Sequence, residues 1–157
     1  MNIRAIALLA AAAFVATLYL TSFSVVAADP ATKEEAVAMV QKAVATIKSE
    51  GAEKAYAEIS NLSGPFVKGD LYIAVVGFDG TLLAYGSDVG ERVGNNVMDI
   101  KDSDGKEVVK ERIGLAKKEP SFWQSYKFIN PVTKTIEPKQ MYCERLEETI
   151  VCGGVYQ

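Results

Sequence analysis

The first stretch in which apolar positions follow a helical period begins near residue 33. In DPATKEEAVAMVQKAVATIKSEG, apolar residues recur three or four positions apart and form one stripe along a helix. Thr32 and Glu35 fit the capping-box pattern for its start, and Gly51 suits its end. A second short helix is predicted over residues 52–59. We expect the first helix to pack against another layer through Ala36, Val37, Val40, Ala43, Val44 and Ile47.

The pattern then changes from helical to strand-like. Residues 71–78, LYIAVVGF, are almost continuously apolar, which predicts a strand that is buried on both faces. Asp79-Gly80 is a hairpin signal, and residues 81–86 form the return strand. Residues 87–105 are polar and glycine-bearing, and a segment of that length predicts a functional cap.

A short amphipathic helix is predicted over residues 105–119, and Pro120 is expected to end it. Three further strands follow over residues 121–128, 137–146 and 149–157. The fold class is therefore α+β, with a long N-terminal helix on a five-stranded antiparallel sheet.

The first 28 residues differ from the rest of the chain. They contain one charge, Arg4, then a long apolar run, then small residues before Asp29. This is typical of a secretory signal peptide cleaved after Ala28. The alternative is an uncleaved anchor formed by residues 5–28. Under either interpretation, residues 29–157 form a single exported domain. This domain would be periplasmic or secreted after cleavage, or held at the outer face of the inner membrane by the uncleaved anchor.

Charge and histidine content narrow the possible functions. The chain has a net charge of −3, and loss of Arg4 would make the remainder more acidic. This argues against nucleic acid as a partner. The chain has no histidine, which excludes catalytic triads that use histidine and histidine-ligated zinc or haem. We expect no enzymatic activity and no cofactor; an enzyme that uses a lysine and a tyrosine is the minor alternative.

The two cysteines, Cys143 and Cys152, have a spacing that fits neither a redox CxxC motif nor a zinc site. If Glu147 and Glu148 form the turn between the last two strands, the cysteines lie opposite each other in a closely spaced pair. In an exported protein this predicts a structural disulfide. A reactive redox pair is the alternative.

Residues 100–111, IKDSDGKEVVKE, resemble a calcium-binding loop. Asp102, Asp104 and Glu111 lie at ligand spacings, but Ile100 occupies the first ligand position. The favoured interpretation is an acidic turn before a helix, with no metal bound.

Strand alternation divides the residues of the last hairpin between two faces. Lys139 shares one face with Cys143 and Cys152, whereas Tyr142 lies on the other with Gly153. Lys139 and Tyr142 therefore cannot both face one pocket unless a bulge intervenes. Gly153 is expected to leave room above the sheet on its face.

Several motifs follow one another along residues 33–157: GDLY (69–72), Asp79-Gly80, VGxN (93–96), DxDGK (102–106), WxxY (123–126), Asn130-Pro131 and KxxY (139–142). Together, in this order, they resemble the single-Cache family of extracellular sensor domains. This resemblance implies a PAS-like fold with a ligand pocket on the sheet face opposite the helix. It also implies small organic acids as ligands.

By position, the resemblance implies six ligand-binding residues: Tyr72, Tyr85, Trp123, Tyr126, Lys139 and Tyr142. Lys139 would meet a carboxylate, which the tyrosine hydroxyls would orient. The family often has histidine at Tyr85 and lysine at Asn95, and its last strands usually lack cysteines. Cache domains usually precede an output module in the same chain. Because the predicted domain occupies residues 29–157 and no such module is recognised, we expect a separate membrane receptor or kinase as partner. A module that docks on such a sensor without a ligand is the alternative.

Overall fold

The first helix begins where the capping box predicts it. A computed structural model describes residues 30–157, so the predicted signal peptide or anchor lies outside the described residues. The Thr32 hydroxyl accepts a hydrogen bond from the Glu35 backbone, and the Glu35 carboxylate accepts one from the Thr32 backbone. Gly51 has a φ of 86° and ends the helix. Both ends of this helix therefore follow from local sequence.

Three helices and six strands make up the described part of the chain. The helices are α1 (Lys33–Glu50), α2 (Ala52–Ile59) and α3 (Val108–Ala116). The strands are β1 (Val67–Lys68), β2 (Leu71–Gly77), β3 (Leu82–Tyr85), β4 (Ser121–Ile129), β5 (Ile136–Leu146) and β6 (Thr149–Tyr156).

All strand pairs are antiparallel, and the sheet order is β1-β2-β6-β5-β4, with β3 also paired to β2. The predicted α+β class is confirmed, and each of the five predicted strands is present. The additional strand is β1, two residues long, inside a segment predicted to be a loop. It pairs with β2 because Gly69, with a φ of 61°, allows a tight turn between them.

The sheet has one face covered by α1 and α2. On this side Val40 and Ala43 of α1 pack with Ile73 and Val75 of β2. All seven residues of β2 are buried, as predicted for a strand covered on both faces. The open space expected at Gly153 is absent, because a Cβ there would lie 2.9 Å from Ile73 Cδ1 and 3.1 Å from Val40 Cγ2. Gly153 instead lets α1 approach the sheet closely.

The other face is covered by α3 and the segment between β3 and α3, which we call the cap (residues 86–107). The cap is anchored to the β2–β3 hairpin, because the Asn96 side chain donates a 2.9 Å hydrogen bond to the Asp79 carbonyl. Val97 of the cap is buried in the core on this face. The cap is thus part of the folded domain rather than a loose connection.

The cap also reaches the outer edge of β4. The Lys106 amine donates to the Ser125 carbonyl at 2.7 Å, and the Lys127 backbone N–H donates to the Asp102 carboxylate at 3.2 Å. These bonds satisfy edge groups that have no neighbouring strand.

The register predicted for the last hairpin is confirmed. Leu146 pairs with Thr149, and Cys143 pairs with Cys152. The two cysteines form a disulfide with their Cα atoms 4.1 Å apart, and both are fully buried. The disulfide joins β5 to β6 at the centre of the sheet.

Candidate ligand-binding site

A small cavity lies between the sheet and its cap. Its volume is about 50 Å³, and residues from β2, β3, β4, β5, the cap and α3 line it. A cavity of this size holds on the order of a few water molecules or a ligand with few non-hydrogen atoms. The apolar part of the wall includes Val76, Leu82, Ile100 and Met141.

Tyrosines from three strands form the uncharged polar part of the wall. Tyr72, Tyr85 and Tyr126 line the cavity, and Tyr156 lies behind them. The Tyr72 hydroxyl is 3.3 Å from that of Tyr85 and 3.4 Å from that of Tyr156. Tyr85 donates to the Val89 carbonyl of the cap at 2.9 Å. The hydroxyls are therefore held in fixed positions by each other and by the backbone.

Burial keeps these phenols protonated. It raises the pKa of Tyr72 well above its ordinary value and raises the pKa of Tyr85 to about 12. The pKa of Tyr126 is raised for the same reason. Near neutral pH these tyrosines are hydrogen-bond donors and acceptors, not anions.

The cation in the cavity wall is Arg112 of α3, whose side chain is only 5% exposed. Its Nε donates to Gln124 Oε1 at 3.0 Å, and its guanidinium lies 5.6 Å from the Tyr126 ring centroid. Gln124 is itself fixed, since its Nε2 donates to the Val108 carbonyl and to Glu111. Within residues 30–157, no acidic side chain pairs with Arg112 at 4.0 Å or less. The buried guanidinium therefore has no direct ion-pair partner in the described protein, and the nearby Glu111 is joined to it only through Gln124.

Lys139 of β5 is a second buried cation, and it lies beside the cavity wall. Its amine is fully buried, donates to the Tyr156 hydroxyl at 3.2 Å and sits 3.8 Å from the Tyr72 ring centroid. Gly154 makes room for it, because a Cβ there would lie 3.1 Å from Lys139 Cε. Burial and, next, the charge of Arg112 lower the pKa of Lys139 well below its ordinary value, against a smaller opposing effect of Asp70.

The six residues implied by the resemblance do not all come together. Tyr72, Tyr85 and Tyr126 line the cavity and Lys139 adjoins it. Trp123 and Tyr142, which are strand partners, lie on the face covered by α1. There their rings are 5.3 Å apart, the Lys33 amine of α1 lies 5.3 Å from the Trp123 ring, and Tyr142 donates to Glu144. No bulge interrupts their strands, so alternation holds Tyr142 away from Lys139.

The two charged residues of the cavity wall, Arg112 and Glu91, were not identified from the sequence. For Arg112 a signal existed, since it lies within the buried stripe of α3, between Val108, Val109, Ile113 and Ala116. A charged residue in an apolar helix stripe is unusual enough to suggest a function. Glu91 lies in the irregular cap, where no periodicity shows which way a side chain points.

The acidic residues of the calcium-like loop have other partners. Asp102 accepts hydrogen bonds from the backbones of Asp104 and Lys106, both at 2.9 Å. Glu111 pairs with the Lys106 amine at 2.7 Å. Across residues 30–157, no group of three or more metal-binding side chains is present.

Replacing Lys139 by methionine is expected to stabilise the protein by about 1–2 kcal/mol at pH 7, because it removes a buried amine whose charged form is disfavoured by burial and by Arg112. The folded-state pKa lies below the value of 10.5 for a free lysine, so the unfolded chain binds this proton more tightly. The destabilisation by Lys139 therefore grows as the pH falls below 10.5. Urea unfolding of both proteins at pH 7 and pH 10 should show a gain that is smaller at pH 10.

Lys117→Met, at an exposed position, is the matched control and should change stability little at either pH. A loss of stability in Lys139→Met at pH 7 would contradict this prediction, as would a gain that does not depend on pH.

These features define the class of the protein. A long helix covers one face of an antiparallel sheet, and a capped cavity lies on the other face, as in PAS-like sensor domains of the Cache type. The sequence matches the family model described as single Cache domain 2 over residues 25–156, and the chain belongs to this family. Cache domains are extracellular or periplasmic sensor domains rather than enzymes.

Solved structures share this fold. A methyl-accepting chemotaxis protein from Vibrio parahaemolyticus RIMD 2210633 is 20% identical, with a TM-score of 0.67 over 79% of this chain and 87% of its own. A Cache chemosensory domain, solved to explain carboxylic acid recognition, is 20% identical, with a TM-score of 0.65 over 78% of this chain and 91% of its own. A periplasmic sensor domain of a chemotaxis protein is 18% identical, with a TM-score of 0.62 over 78% and 88% of the two chains.

No curated protein is significantly similar in sequence. In the described part of the chain, no helix combines the length and the apolar character that a membrane span requires.

Proposed function

We propose that this protein is an exported sensor domain that binds a short carboxylic acid, with the carboxylate held by Arg112. The observation that carries the proposal is the buried guanidinium in the cavity wall, which forms no direct ion pair within residues 30–157. A ligand carboxylate would supply a directly bound counterion and two good acceptors for the guanidinium fork. The carboxylic acid recognition named for one structural neighbour supports the same ligand class.

The tyrosines and Lys139 have supporting roles in this proposal. The Tyr72, Tyr85 and Tyr126 side chains would surround the ligand with rings and neutral hydroxyls. Lys139 adds positive potential behind the Tyr72 ring. The small cavity favours acids with two to four carbons over longer ones.

Residues 1–28 would direct export, either as a cleaved signal peptide or as an anchor, and residues 29–157 would form the sensor domain. The proposed partner for an inward signal is a membrane receptor or kinase. The negative net charge of the chain disfavours binding to nucleic acid.

Isothermal titration of the dialysed protein, produced from the full sequence, tests the proposal. The panel is acetate, propionate, pyruvate, glycine and alanine, each matched with the primary amide that replaces its carboxylate. We expect at least one acid to bind with a dissociation constant below about 1 mM, and no better than the micromolar range for so few atoms. The amide should bind at least about 50-fold more weakly, since it lacks the negative charge of the carboxylate.

Binding of the amides as tightly as the acids would contradict an anion site at Arg112. A complete absence of binding would instead favour a module that docks on another protein without a small ligand.

A further inference from the structure

The cavity wall contains one acidic side chain, Glu91 of the cap, in addition to Arg112. The preceding residue fixes its position. Gly90 has a φ of 89°, and a Cβ there would lie 3.0 Å from the Phe128 ring and 3.2 Å from the Tyr85 hydroxyl. Only glycine allows the cap backbone to lie this close to β3 and β4, and this approach brings Glu91 to the cavity.

Glu91 and Arg112 do not neutralise each other. Within residues 30–157 Glu91 forms neither an ion pair nor a hydrogen bond, and its distance from the guanidinium exceeds the 4.0 Å limit for an ion pair. By contrast, Asp88, three residues earlier in the cap, pairs with Lys134 at 3.1 Å. A single small cavity thus has a positive and a negative group in its wall that do not pair directly with each other.

Two opposite charges held apart at a partly buried site are best satisfied by a ligand that carries both. A carboxylate would face Arg112 and an ammonium would face Glu91, with the rings of Tyr85 and Tyr126 also favourable to a cation. A second carboxylate would meet Glu91 and be repelled. Since the cavity is only about 50 Å³, the ligand must be small.

We propose that Glu91 makes the site selective for a small zwitterionic amino acid over a simple carboxylic acid of the same shape. This inference rests on the proposed function, because it requires the carboxylate site at Arg112. It adds a specificity-determining residue and narrows the ligand class.

Titration with isosteric pairs tests it in the full-length protein. Glycine has an ammonium group where propionate has a methyl group, and alanine differs from isobutyrate in the same way. We expect the amino acid of at least one pair to bind at least about tenfold more tightly than its partner. In Glu91→Gln this preference should disappear, through weaker amino acid binding and unchanged or tighter binding of the simple acid.

Glu53→Gln, on the exposed surface of α2, is the matched control and should keep the preference. If the simple acids bind as tightly as the amino acids, or if Glu91→Gln retains the preference, the inference is overturned while the carboxylate site stands. If neither kind of acid binds, both the inference and the proposed function fail.

Discussion

Replacing Arg112 by methionine is expected to raise the dissociation constant of the bound acid by at least about 50-fold. Methionine approximates the apolar stem of the side chain but removes the guanidinium, which is the proposed counterion of the carboxylate. Charge-assisted hydrogen bonds contribute about 1.5–3 kcal/mol each, and a guanidinium can form two of them with one carboxylate. Titration calorimetry with the tightest ligand of the panel measures the change.

Arg112→Lys is expected to give an intermediate affinity, because it keeps the charge and loses the planar fork. Arg145→Met is the matched control, since Arg145 lies near the β5–β6 turn beside Glu148 and should not affect binding. Circular dichroism of each variant checks folding, because Arg112 also donates to Gln124. Unchanged affinity in a folded Arg112→Met protein would contradict the role given to this residue.

The second large effect is expected from removing the disulfide. The double variant Cys143→Ala/Cys152→Ala should lose about 2.5–3 kcal/mol of unfolding free energy. This is the loop-closure entropy that a crosslink between positions 9 apart in sequence removes from the unfolded chain. The variant's thermal midpoint should fall by roughly 10 °C. Thermal and urea unfolding without reductant measure this loss.

Reductant provides the control for this variant. Reduced wild-type protein should approach the stability of the double variant, and the double variant should not respond to reductant. Thiol titration of unreduced, denatured wild-type protein should find no free thiol. Two free thiols, or equal stability of the unreduced wild-type protein and the double variant, would contradict a stabilising role of the crosslink.

Much of the fold could be predicted because its signals are local. The Thr32–Glu35 box specifies where α1 begins, and Asp79-Gly80 specifies the β2–β3 turn. Placing the last turn at Glu147-Glu148 was enough to bring Cys143 opposite Cys152. The two-residue strand β1 was missed, because its pairing depends on β2 being in place and leaves no periodic signal of its own.

The site was less predictable because it depends on which layer covers each face. Alternation correctly separated Lys139 from Tyr142, but it does not say which face α1 covers. The resemblance placed residues from both faces in one pocket. Gly153 illustrates the same problem, because a residue without a side chain signals either an open space or a close neighbour, and here the neighbour is α1.

The contacts that the cap makes with β4 bear on how the protein behaves when concentrated. An unprotected edge strand offers its backbone groups to a strand of another molecule, which is a common first step in ordered aggregation. In the middle of β4 those groups are taken by the side chains of Lys106 and Asp102. A second molecule could add a strand there only by displacing an amine and a carboxylate, so the same segment that covers the cavity also discourages self-association along this edge.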